Sequence, residues 1–140
     1  MNKELEDLKI ELMLNGKAQY FYNIEDFFVH MFIPQKNGEG YHSEYIIEGV
    51  NELTIIKKYK NGVYSAKLDN KSGVCTFFPR IMKPKEIIDA CIEAFNNRIN
   101  EKNVNGYVGK CNSGIFILFK LKGNKILGAY PYYKQDKNDF

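Results

Sequence analysis

"KPKEIIDACIEAFNNRIN", residues 83–100, is the stretch of this chain whose periodicity is clearest. Ile87, Ile88, Cys91, Ile92, Phe95 and Ile99 recur at helical spacing and form one apolar stripe. Pro84 suits a first helical turn, and Glu86 complements the positive N-terminus. Arg98 falls in the last turn, where the helix dipole favours a cation. The spacing therefore predicts an amphipathic helix over 83–100.

On either side of that helix the pattern is β. Upstream, "LTIIKKY" (53–59), "VYSAKLD" (63–69) and "VCTFFP" (74–79) are separated by the turns "KNG" and "NKSG". An Asn-Gly pair between β-rich runs is a strong hairpin signal. Downstream, "GIFILFKLK" (114–122) and "KILGAYPYY" (125–133) flank a Gly-Asn turn and predict a second hairpin. Strands and helices segregate along the chain rather than alternate, which predicts an α+β domain.

The N-terminal third is less decided. In "MNKELEDLKIELML", Leu5, Leu8 and Leu12 fit a helix, while Leu8, Ile10, Leu12 and Leu14 alternate like a strand. Residues 18–33 are rich in aromatics, Pro34 ends any regular element, and 35–44 read as a polar, glycine-bearing loop. No internal repeat or linker divides the chain. One domain over 1–140 is expected, with an N-terminal helical and aromatic segment over 1–29 and a core over 30–133.

With 140 residues, 44% of them hydrophobic and 14% aromatic, the chain can bury a core without staples. The three cysteines, at 75, 91 and 111, are odd in number and lack metal-ligand spacing. They read as reduced thiols, with Cys91 packed in the helix stripe. The acidic N-terminus has no basic n-region or long apolar run, so it is not read as a signal peptide. No window approaches the length of a membrane span. Net charge is only +3, but lysines and tyrosines interleave at "KKYK" (57–60) and from "KLKGNK" to "YYKQDK", a pattern suited to a polyanion.

The chemistry centres on two histidines, His30 and His42, twelve positions apart across the glycine-bearing loop. Near neutrality one imidazole can act as base and the other as acid. Such a pair suits RNA cleavage: one ring takes the ribose 2′-OH proton, and the other protonates the leaving 5′-oxygen. A lysine would stabilise charge on the phosphorane, and a tyrosine could stack on or orient the base or ribose.

From His30 onward the chain resembles a bacterial EndoU endoribonuclease domain, of the kind found at the C-termini of polymorphic and contact-dependent inhibition toxins. The stretches that carry the resemblance occur in the family's order: "VHMFIP", "GEGYHSE", "NGVYSAKL", "TFFP", the helix "KPKEIIDACIEAFNNR", "GYVGKCNSGI" and a hairpin ending in "GAYP". The resemblance implies two antiparallel β-sheets with flanking helices, an RNase A-like architecture. It implies cleavage of RNA, often beside uridine, leaving a 2′,3′-cyclic phosphate. By analogy His42 is the general base and His30 the general acid. Lys71 is the first choice for the catalytic lysine and Lys67 the second. Tyr130 matches the aromatic that orients ribose or base, and Tyr41, Thr76 and Ser113 are further substrate-binding candidates.

The mechanism requires no cofactor, and Mn²⁺ stimulation is not readable from the residues. The implied partners are RNA, with tRNA among the targets, and a cognate immunity protein, with no membrane. The implied site of action is the cytoplasm, after secretion or delivery within a larger toxin. Departures bear on substrate preference: the second histidine follows Gly-Tyr, and Gly128 stands where a Thr or Ser often precedes the final tyrosine. Two other classes stay open, a non-catalytic RNA-binding module and a small toxin-neutralising interaction protein.

Overall fold

A computed structural model describes residues 2–35, 40–46, 53–69, 73–101 and 105–135. Among these the chain forms α1 (Lys3–Leu14), a 3-10 turn (Lys17–Tyr20), α2 (Ile24–Phe32), β1 (Leu53–Lys58), β2 (Tyr64–Leu68) and β3 (Val74–Phe77). Then come α3 (Pro84–Asn96), β4 (Ile99–Glu101), β5 (Gly106–Lys110), β6 (Phe116–Lys122) and β7 (Lys125–Pro131). The strands make two antiparallel meanders, β1-β2-β3 and β4-β5-β6-β7. The class is α+β, as the segregated pattern predicts.

The ambiguous N-terminus is a helix. Asn2 caps it, accepting from the Leu5 N–H at 3.1 Å. Leu5, Leu8 and Leu12 are buried, whereas Ile10 is 51% and Leu14 83% exposed, so the helical period decides over the alternation. Asn23 caps α2 in the same way, through the Asp26 N–H at 3.0 Å. His30 lies in the last turn of α2, which spans residues on both sides of position 29.

The central helix is shorter than its apolar pattern predicts. It starts at Pro84, with the Glu86 carboxylate accepting from the Lys83 N–H at 3.0 Å. It ends at Asn96, and Asn97 caps it. Arg98 does serve the C-terminus: its guanidinium donates to the Phe95 carbonyl at 2.8 Å and lies 3.8 Å over the Phe95 ring. Ile99 corrects the stripe, because it belongs to β4, opposite Val108, and is 67% exposed. Strands β4 and β5 carry no alternation strong enough to single them out in the sequence.

The main core lies between the three helices and one face of the β4–β7 sheet, with Phe27, Phe28, Ile88, Cys91, Ile117, Phe119 and Ile126 at its centre. Burial pushes the Cys91 thiol up, so it packs as an inert apolar group. Gly109 fixes how closely α3 can approach. A Cβ there would lie 1.8 Å from the Ala94 carbonyl oxygen. Gly109→Ala must push helix from sheet, and is expected to lose about 1–3 kcal/mol or more. Urea denaturation should show a lowered midpoint at unchanged slope, and a variant as stable as the parent would refute this packing.

A second cluster, with Tyr41, Tyr64, Ala66, Leu68, Cys75 and Phe77, covers one face of the β1–β3 sheet. The opposite face carries Ser65 and Lys67 on β2, with Thr76 paired to Ser65 on β3. The two sheets meet where β3 approaches β7: the Thr76 hydroxyl donates to the Pro131 carbonyl at 2.5 Å.

Candidate active site around His42

A helix leaves its last carbonyls without intrahelical partners. At the end of α2 the segment from Gly40 to Ser43 supplies them. The Tyr41 N–H donates to the His30 carbonyl at 2.5 Å, and the His42 and Ser43 N–H groups donate to the Met31 carbonyl at 2.9 and 3.1 Å. The His42 carbonyl accepts from the Phe78 N–H at 2.8 Å, which ties the same segment to the end of β3. Gly40 makes this docking possible. Its φ is +72°, and a Cβ there would lie 2.5 Å from the His30 carbonyl oxygen and 3.0 Å from His30 Nδ1. The two histidines, twelve apart in sequence, thus sit on backbone segments that hydrogen-bond to each other.

The His42 ring is held on two sides. It stacks on Tyr130 with centroids 4.9 Å apart and planes at 17°. Its Nδ1 lies 2.8 Å from the Thr76 carbonyl oxygen. A carbonyl only accepts, so Nδ1 carries the proton and donates it. In the neutral ring that leaves Nε2 as the acceptor, the tautomer a general base needs. Burial raises the Tyr130 pKa, so its hydroxyl stays protonated near neutrality and can donate or accept. His30, in the last turn of α2, is exposed.

The other sequence candidates divide. Thr76 is at the site, but through its backbone carbonyl, while its hydroxyl is occupied by Pro131. Lys67 is exposed on the sheet face that carries Ser65 and Thr76. Lys71 lies outside the described residues. Tyr41 is placed differently from its expected role. Its ring is 2% exposed and packs edge-on against Phe77 at 5.4 Å, so it belongs to the core of the first sheet rather than to a substrate wall. Its φ of 73° turns the chain so that the ring points inward while the next residue, His42, faces Tyr130. Ser113 is not brought to His42: it lines a depression with Met82, Glu86, Asp89 and Glu93 beside α3.

Sequence reasoning missed the group that anchors the segment beyond His42. Glu44 is 3% exposed, accepts from the Tyr64 hydroxyl, and accepts from Arg80 Nε at 3.1 Å. The Arg80 guanidinium lies 5.4 Å over the Tyr64 ring. Burial first, and then the Glu44 carboxylate, raise the Tyr64 pKa, so the phenol stays a donor. A buried carboxylate needs such partners. The only sequence signal was a Glu two residues after a candidate histidine, and its partners lie 20 and 36 positions away. Among the described residues, no group of three or more His, Cys, Asp or Glu side chains is placed to hold a metal ion. No helix among them is long and apolar enough to cross a membrane.

The chain is similar to a protein of Bacillus cereus named Toxin, at 35% identity over 107 residues. The match covers 66% of this chain and 19% of that protein, so the chain corresponds to about a fifth of its relative's length. No family model matches the chain, and no solved structure matches it.

Proposed function

We propose that the chain is an EndoU-type endoribonuclease and acts as the effector domain of a bacterial toxin. The observation that carries the reading is the His42 ring, fixed in the base tautomer by the Thr76 carbonyl and stacked on Tyr130, on a segment docked to the backbone of His30. The similarity to a much longer protein named Toxin supports the effector role. The order of motifs from His30 to Tyr130 supports the EndoU type, and the two antiparallel sheets agree with it.

In this reading His42 Nε2 removes the proton from a ribose 2′-OH. The oxygen attacks the adjacent phosphorus, and the bond to the 5′-oxygen breaks. The His30 imidazolium protonates that oxygen as it leaves. The products are a 2′,3′-cyclic phosphate and a 5′-hydroxyl. The Tyr130 hydroxyl, beside the His42 ring, orients the ribose or base. By the resemblance Lys71 is the first choice for the cation that meets the phosphorane, and Lys67, exposed on the same sheet face as Thr76, is the second. A cognate immunity protein would protect the producing cell by covering this surface, with charge complementarity to the lysines.

The test is the full chain with end-labelled, uridine-containing RNA, with and without EDTA. Cleavage is expected in both, with 3′ fragments that begin in a 5′-hydroxyl and 5′ fragments that end in a cyclic phosphate. Intact RNA under both conditions would overturn the proposal.

A further inference from the structure

The face of the β4–β7 sheet turned away from α3 carries more than Tyr130. Ile99, Val108, Leu118 and Tyr130 are direct cross-strand partners on successive strands, so they form one row on one face. His42 stacks at the Tyr130 end of this row. At the other end is a cavity of about 310 Å³, lined by Asn97, Ile99, Glu101, Val108, Lys110 and Phe116. Strands are about 4.8 Å apart, so Val108 lies about 10 Å from Tyr130 across the sheet. Val108 and Leu118 are buried in a cluster with Tyr132, so the cavity and His42 lie at the two ends of one sheet face, on either side of this covered strip.

The lining has a definite chemistry. Lys110 and Phe116 face each other across β5 and β6, with the Lys110 ammonium 5.6 Å from the Phe116 ring centroid. An aromatic face beside a cation, at the mouth of an open cavity, suits a single-stranded nucleic acid: the base stacks and the cation meets the phosphate. Val108 and Ile99 make the wall apolar, and the volume lies at the small end of the range for ligand sites, with room for one base. Glu101 adds a carboxylate, whose several acceptor positions suit an exocyclic amine.

We propose that this cavity is a second nucleotide subsite. It takes an unpaired adenine or cytosine stacked on Phe116, with the base's amine donating to Glu101 and a neighbouring phosphate against Lys110. The proposal rests on the RNA-cleaving reading above and extends it from the cut linkage to the nucleotides beside it.

The probes are fluorescein-labelled 2′-O-methyl oligonucleotides, which carry no free 2′-OH and cannot be cut. One is all uridine and the other carries central adenosines. Binding to the full chain is read by fluorescence anisotropy, with circular dichroism to show that each variant is folded. The wild type is expected to bind the adenosine probe more tightly. Phe116→Leu should weaken binding about 5- to 100-fold, as loss of one stacked base would, while Phe116→Tyr keeps it. Lys110→Ala, an exposed change, should lower the slope of log affinity against log salt by about 0.7. Glu101→Ala should abolish the adenosine preference.

Wild-type affinity in Phe116→Leu and an unchanged salt slope in Lys110→Ala would overturn the subsite. So would equal affinity of the wild type for both probes, or no binding of either. Failure of the two readings is distinguishable. Cleavage of ordinary RNA with binding indifferent to Phe116 and Lys110 removes only the subsite. Binding of the probes with ordinary RNA left intact removes only the catalytic reading.

Discussion

His30→Ala and His42→Ala are each expected to lower RNA cleavage by about 10²–10⁴-fold, the usual contribution of a positioned acid or base. The two variants should differ in stability. His42 is hydrogen-bonded to the Thr76 carbonyl and stacked on Tyr130, so its loss should cost about 1 kcal/mol or more as well as activity. His30 is exposed, and its truncation should leave stability within about 0.5 kcal/mol. His30→Ala is therefore the cleaner test of chemistry. Single-turnover cleavage of labelled RNA, alongside thermal melting, separates the two effects. Full activity in both variants would remove the two-imidazole mechanism. Full activity in His30→Ala alone would leave His42 as base and require another acid.

What the sequence made legible follows from how local each signal is. The β1–β2 and β6–β7 hairpins lie where Asn-Gly and Gly-Asn turns separate alternating runs, because turn geometry and strand register are set within a few residues. The start of α3 is legible for the same reason, from Pro84 and Glu86. Its end is not: Ile99 continues the apolar spacing, but its neighbours in space are β5 residues rather than the helix. Strand β5 is shaped by Gly109, whose missing Cβ matters only because Ala94 packs on it from α3. The same divide runs through the site. His30, His42 and Tyr130 are legible as chemistry-bearing types in an ordered set of motifs. Their geometry is not, since it depends on the Thr76 carbonyl, on Glu44 buried with Tyr64 and Arg80, and on the backbone turn that sends Tyr41 inward. Carbonyl acceptors carry no residue signature, and a positive φ at a tyrosine runs against its usual preference.

Gly40→Ala is expected to bring cleavage down towards the level of His42→Ala, although no reacting group is removed. Two costs fall on one residue. The backbone is left-handed at φ +72°, which penalises a Cβ by about 1–2 kcal/mol. That Cβ would also sit 2.5 Å from the His30 carbonyl oxygen and 2.9 Å from its Cα, and neither backbone atom can yield without moving the end of α2. Relief comes most easily by lifting the segment off the helix, which sacrifices the N–H bonds of Tyr41, His42 and Ser43 to the His30 and Met31 carbonyls. The His42 ring then loses its fixed relation to His30, and misplacement of about 1 Å can cost 10²-fold in rate. Gly123→Ala is the matched control. Its φ is +61°, but nothing lies within 4 Å of a Cβ there, so it carries the strain without the clash. It should lose about 1–2 kcal/mol of stability and keep full activity. If Gly40→Ala cleaves RNA as well as Gly123→Ala does, docking of this segment against α2 is not what positions the catalytic ring.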